Sequence, residues 1–245
     1  LRDVINKGLT KENILHGAGL AFEGGWNKVK LYFMLGQPTE TVEDMKAIGE
    51  LAEEIAERYY EIPKDQRNGK CQITVSTSFF VPKPFTPFQW SPMCTKDDFL
   101  GRAKIVNETI KSQLNKKSIR YNWHEADVTM IEGILARGDR RLCDTMIKIY
   151  EKGGIFAAWS EFFDEQIWLD AFAEDQIDTA FYTTRVRSED EIFPWDFIDA
   201  GVTKNFLLRE WHAANAETVT PNCRQKCAGC GAMKYKGGVC YENQN

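Results

Sequence analysis

The sequence predicts an α/β fold with parallel strands, and three observations carry that reading. The segment "KVKLYFML" (28–35) begins by alternating and ends as a continuous apolar run, the pattern of a strand buried on both faces of a parallel sheet. A helical pattern follows, and then "CQITVSTSFFV" (71–81), rich in β-branched and aromatic residues, supplies a second strand. A strand, a long helix and a strand form one right-handed crossover unit, which requires the two strands to run parallel.

Each element has a local cause. Gly36 and Pro38 in "GQPTE" (36–40) break the first strand, and Thr41 with Asp44 three residues later is a capping-box pattern for a helix start. Val42, Met45, Ile48, Leu51, Ala52, Ile55, Ala56 and Tyr59 then recur at threes and fours with glutamates between them, so one helix face is apolar. After the second strand, "PKPFTPFQW" (82–90) is stiffened by Pro82, Pro84 and Pro87. Parallel strands point their C-terminal ends the same way, so this loop and "GQPTE" are expected to share a rim, the usual ligand side of such sheets, with Lys83 at its mouth. Ordinary strand-to-helix turns account for the same residues.

Beyond Trp90 the pattern is mainly helical. Thr95 with Asp98 caps a helix whose stripe is Phe99, Leu100, Ala103, Val106, Ile110 and Leu114, and "SIRYNW" (118–123) reads as a short strand at an edge or packed as a flap. Two more helices carry Val128, Ile131 and Leu135, then Leu142, Met146, Ile149 and Tyr150, ending before Gly138 and at Gly153-Gly154. The aromatic run at 156–172 reads as core of this helical extension. The expected division is therefore 1–93 for the sheet, 94–220 for a mainly helical extension and 221–245 for a cysteine-rich tail.

Composition sets limits on function. A chain of 245 residues with 43% hydrophobic content can bury one large core or two modest ones, and its apolar runs stay well short of the ~18 residues of a membrane span. A net charge of -5 argues against coating nucleic acid by bulk electrostatics, although a local basic patch can still grip a phosphate. Four of the 7 cysteines crowd into the tail while Cys71, Cys94 and Cys143 lie scattered in apolar surroundings, which is not a secreted disulfide framework. A cytoplasmic protein with a metal-binding tail is expected. The chain opens on Leu1-Arg2-Asp3 without a Met, the reading of a truncated piece.

The tail, "CRQKCAGC" (223–230) with Cys240 further on, offers thiolates at C-x3-C-x2-C. That number and spacing suits tetrahedral zinc or an iron–sulfur cluster, and spacing alone does not choose between them. The same spacing is that of the open cluster in radical S-adenosylmethionine enzymes, but there it lies early in the chain, whereas here it lies near the end. A closed site of Cys223, Cys227, Cys230 and Cys240 is the expectation, with iron–sulfur and zinc both open.

In order along the chain, "INKGLT", "GWNKVKLYFMLGQPTET", "FFVPKPFTPFQW", "ARGDRRL" and "FPWDFIDAGVTKNFLLREW" ahead of "TPNCRQKCAGCG" resemble the C-terminal half of radical S-adenosylmethionine proteins that carry an N-terminal cobalamin-binding domain. The strand segments are also similar to radical methylthiotransferases that modify tRNA. The resemblance implies the last strands and helices of a partial (β/α)6 TIM-like barrel, followed by the helical extension and the tail. It also implies that the cobalamin-binding domain and the catalytic [4Fe-4S] cluster belong to an upstream half of the same protein. On that reading Gly36, Pro38, Phe80, Val81 and Pro82 neighbour the adenine end of S-adenosylmethionine, and Lys83 and Thr86 face the cavity. The whole protein would cleave S-adenosylmethionine reductively to start radical chemistry, with methyl or methylthio transfer as its outcome, and this chain alone would not. The family's tail ends compactly as Cys-Gly-x-Cys, whereas here "AMKYKGG" separates Cys230-Gly231 from Val239-Cys240.

Two other classes stay open: a metal-stabilised binding module for RNA with the tail as a zinc knuckle, and a structural remnant whose cysteines bind nothing. In "RGDRRL" (137–142), Arg137, Arg140 and Arg141 meet a helix start, where they would hold a phosphate or pair with nearby acids. His16, His124 and His212 are isolated from one another and from the cysteines, and carry no expected role.

Overall fold

A computed structural model describes residues 1, 3–5 and 7–235. The chain divides into two compact units. One is Leu1–Phe80 with Lys96–Glu125, the sheet unit; the other is Val81–Thr95 with the chain from Ala126 onward, the helical unit.

The sheet unit runs α1 (Lys11–Glu23), β1 (Lys28–Leu35), α2 (Val42–Glu61), β2 (Gln72–Phe79), α3 (Lys96–Ser112) and β3 (Ile119–Trp123). Thr41 caps α2 by accepting from the Asp44 N–H, and the Asp44 carboxylate accepts from the Thr41 N–H at 2.9 Å. The three strands are parallel in the order β1-β2-β3, with Lys28 opposite Gln72 and Ile73 opposite Ile119. β2 is the central strand, so Ile73, Val75, Thr77 and Phe79 are buried, and Phe79 stacks on Phe99 of α3 at 4.5 Å. Apolar residues of α2 (Ile48, Ala52, Ile55, Ala56) and of α3 (Phe99, Val106, Ile110) complete this core.

Two expectations are corrected here. The expected portion of a partial (β/α)6 barrel is not found: the described residues form an open three-stranded sheet whose outer strands, β1 and β3, each pair on one side only. Adjacent strands turn by only about 20–25°, so three of them make a twisted, open sheet, and closure needs more strands at a consistent stagger. The second correction concerns β1, expected to be buried on both faces. As an edge strand it alternates, with Lys28, Lys30, Tyr32 and Met34 exposed and only Leu35 fully buried. Opposite that exposed row lie Thr74, Ser76 and Ser78, so the second face of the sheet is polar.

The helical unit contains α4 (Ala126–Ala136), α5 (Cys143–Glu151), α6 (Glu165–Glu174), the short α7 (Thr179–Tyr182) and α8 (Lys204–Asn215). One cluster packs Ile131, Ile134, Leu142, Ile149, Trp168, Phe172 and Tyr182, and another gathers Trp90, Phe193, Trp195 and Leu207. In the second cluster Gln89 is buried, and its Oε1 accepts from the Trp195 indole N–H at 2.8 Å. The aromatic run at 156–172 is only partly core: Trp168 and Phe172 are buried, but Phe156, Trp159 and Phe162 are exposed. Of the scattered cysteines, Cys71 is buried, Cys94 half-buried and Cys143 exposed. Among the described residues no helix is long and apolar enough to cross a membrane.

Candidate functional site

The loop after β1 is held by a buried carboxylate. Gly36 has φ 86° and Thr39 φ 66°, so the chain turns sharply through left-handed backbone, which glycine adopts without strain. Glu40 closes the turn: its carboxylate accepts from the Gly36 N–H at 2.8 Å and from the Arg102 guanidinium of α3. Its side chain is 1% exposed, and burial raises its pKa against the opposing pull of the Gly36 bond and of Arg102. Gln37 is 8% exposed and its side-chain Oε1 has no hydrogen-bond partner among the described residues. A buried acceptor without a donor is costly, so this loop is suited to a ligand that brings an N–H.

Gly36 and Pro38 lie on this loop, and the Phe80 N–H extends the parallel ladder by donating to the Leu35 carbonyl at 2.8 Å. These three therefore share one end of the sheet unit. Val81, Pro82 and Lys83 belong to the helical unit, where Val81 and Pro82 are buried. Lys83 forms an ion pair with Glu132 of α4, and its carbonyl accepts from the Thr86 hydroxyl at 2.8 Å. No local pattern in the sequence marks Glu40, since its partner Arg102 lies 62 positions away.

In the tail, Cys227 and Cys230 are half-buried and Cys223 is exposed. The Gly229 N–H points at the Cys227 sulfur at 3.4 Å, and the Ala232 N–H points at the Cys230 sulfur at 3.4 Å. Each donor lies two residues beyond its sulfur, and the left-handed Gly229 (φ 66°) and Gly231 (φ 98°) provide the turns. Cysteine sulfur is the soft donor that zinc and iron–sulfur clusters take. The Thr203 N–H donates to the Cys230 carbonyl at 2.9 Å, Arg209 of α8 donates to the Ala228 carbonyl, and Lys234 pairs with Asp199, whose pKa that contact holds down to about 2. The knuckle is thus docked on α8 and on the loop before it.

Cys223 shares in none of these sulfur contacts, and among the described residues no three His, Cys, Asp or Glu side chains come together to hold a metal ion. Cys240 lies outside the described residues. The described cysteines are free thiols. Among the described residues, then, Cys227 and Cys230 share one kind of turn, and the expected set of four cysteines is not assembled.

The three arginines of "RGDRRL" do not converge. Arg137 is 1% exposed and donates to the carbonyls of Ser91 (2.7 Å) and Thr183. Arg141 clasps Asp139 with Nε at 3.0 Å and Nη2 at 2.6 Å, and lies over the Phe181 ring. Arg140 alone faces solvent without a partner among the described residues.

No family model matches the chain, and no solved structure matches it. A protein of Methanocaldococcus jannaschii, described as uncharacterized, is 33% identical over 142 residues, which is 58% of this chain and 28% of that protein. The chain thus spans less than a third of the length of the relative it matches.

Proposed function

We propose that this chain is the C-terminal part of a longer radical S-adenosylmethionine enzyme, and that its tail holds a second, closed metal centre. The observation that carries the reading is the pair of backbone N–H···S bonds at Cys227 and Cys230, together with the ordered motifs that resemble that family. Cys223, Cys227 and Cys230, with Cys240, would hold the metal, and binding would draw Cys223 onto the Cys227–Cys230 knuckle. An iron–sulfur cluster there would relay single electrons, whereas zinc would only fasten the tail.

The loop after β1 has a binding role in this reading. The Gln37 Oε1 accepts from the adenine amino group, and Gly36 lets the ligand approach the backbone closely. Glu40 and Arg102 keep the turn in shape without touching the ligand. Cleavage of S-adenosylmethionine belongs to the upstream part, and the product is not fixed by superfamily membership. Joined to that upstream part, loaded with cluster and reduced, the chain is expected to support formation of 5′-deoxyadenosine; a loaded, reduced protein that forms none overturns the assignment.

A further inference from the structure

A cavity of about 510 Å3 opens in the helical unit between Gly138, Asp139 and Arg140 on one side and Ile192, Pro194 and Phe197 on the other. Three features of its lining point to one kind of ligand. The first is Arg140, the one guanidinium of its motif left without a partner among the described residues. Asp139 beside it does not neutralise it, because that carboxylate is already engaged by Arg141 and by the Tyr182 hydroxyl.

The second feature is apolar. Phe197 is 84% exposed and Ile192 85% exposed, so a bare aromatic ring and a bare aliphatic chain flank a free cation. The third is the charge behind the wall. The Arg187 guanidinium lies 5.5 Å from the centre of the Phe193 ring, which also lines the cavity. Arg137, Arg185 and Arg187 act on one another there and share a single carboxylate, Glu191. Asp196 nearby is taken by Lys204 and by the Phe193 N–H. In the lining itself, the charge left without an opposite partner among the described residues is that of Arg140.

We propose that the cavity binds a phosphorylated nucleoside, its base against Phe197 and Pro194 and its phosphate on Arg140. A guanidinium matches phosphate geometry, an exposed ring stacks on any base, and the volume falls in the ~300–1,000 Å3 range of small-molecule sites. The nucleoside is either a free nucleotide or one unit of single-stranded RNA, since both present the same chemistry. The pocket shares no lining residue with the tail cysteines.

The test uses the full chain with two probes: adenosine monophosphate by calorimetry, and a labelled single-stranded oligoadenylate by fluorescence anisotropy at several salt concentrations. Phe197→Ala is expected to weaken binding about tenfold, within the range that one stacked base contributes. Arg140→Ala is expected to weaken it comparably and to flatten the salt dependence for the oligonucleotide by about 0.7 in slope, while Arg140→Lys keeps most of that slope. Phe197 and Arg140 are both exposed, and unchanged circular dichroism of each variant confirms that folding is intact. Oligonucleotide binding without mononucleotide binding makes the ligand a nucleic acid; similar affinity per site makes it a free nucleotide. Failure of both probes to bind at millimolar concentration overturns the proposal, as does binding that neither Phe197→Ala nor Arg140→Ala changes.

Discussion

Replacing Arg102 by Met removes the only cation that the Glu40 carboxylate touches among the described residues. Glu40 keeps the Gly36 N–H, but its side chain is 1% exposed, so its remaining lone pairs lose their donor inside the protein. Removing one partner of a buried pair costs about 3–5 kcal/mol. Arg102 is itself a quarter exposed, so water can enter the space it leaves, and about 2 kcal/mol is the expected loss at pH 7. Protonation of Glu40 sets a ceiling. Taking a carboxyl of ordinary pKa to its neutral form costs about 3.7 kcal/mol at pH 7 but only about 1 kcal/mol at pH 5. The sign follows from the direction of the shift: burial raises the Glu40 pKa, and without Arg102 it rises further. A group whose pKa is raised in the folded state favours folding below its unfolded pKa and loses that contribution as pH rises through the folded value. Arg102→Met should therefore lose about 2 kcal/mol at pH 7 and no more than about 1 kcal/mol at pH 5, as measured by urea unfolding followed by circular dichroism. Adding Glu40→Gln, which still accepts from the Gly36 N–H, should restore most of the loss at pH 7. A loss of equal size at both pH values, or no recovery in the double variant, would refute the reasoning.

Three further outcomes follow from the same geometry. Thr41→Ala removes the side-chain acceptor for the Asp44 N–H at the start of α2 and should cost about 1 kcal/mol in urea unfolding. Arg137→Met strands the buried Ser91 carbonyl and takes one of two donors from the Thr183 carbonyl, which keeps the Met93 N–H at 3.0 Å; relief from the neighbouring Arg187 charge offsets part of this, leaving a loss of about 2 kcal/mol, read as a lower melting temperature. Gly231→Ala places a Cβ 2.9 Å from Thr203 Cγ2 and 3.1 Å from the Gly201 carbonyl at φ 98°, so the knuckle should be displaced from its seat; faster thiol labelling of Cys230 with an Ellman-type reagent checks this.

The local elements were legible because their causes are local. Thr41 and Asp44 mark the start of α2, and the β-branched run at 71–81 marks β2, through contacts within a few residues. The partial barrel was not found, because strand number and closure depend on which chain segments pair, and a pattern of strands and helices does not encode that count. β1 shows the same limit: its apolar run reads as a buried strand, but its edge position exposes Tyr32 and Met34. At the candidate sites, cysteine spacing located the tail but not the turn that puts the Gly229 and Ala232 N–H groups on sulfur. The motif "RGDRRL" flagged three cations, yet only tertiary packing separates the buried Arg137 from the clasped Arg141 and the free Arg140. Likewise, Glu40 becomes noteworthy only once α3 brings Arg102 onto it.

The central claim, that the tail is a metal centre, is tested most directly by the metal and acid-labile sulfide content of the chain purified without oxygen. A variant with Cys223, Cys227 and Cys230 all changed to alanine serves as the comparison. The expected result is bound metal in the native chain that is absent from the variant, iron with sulfide marking a cluster and zinc without sulfide marking a structural knuckle. A native chain that holds neither metal, or one whose metal the variant retains, would contradict the claim.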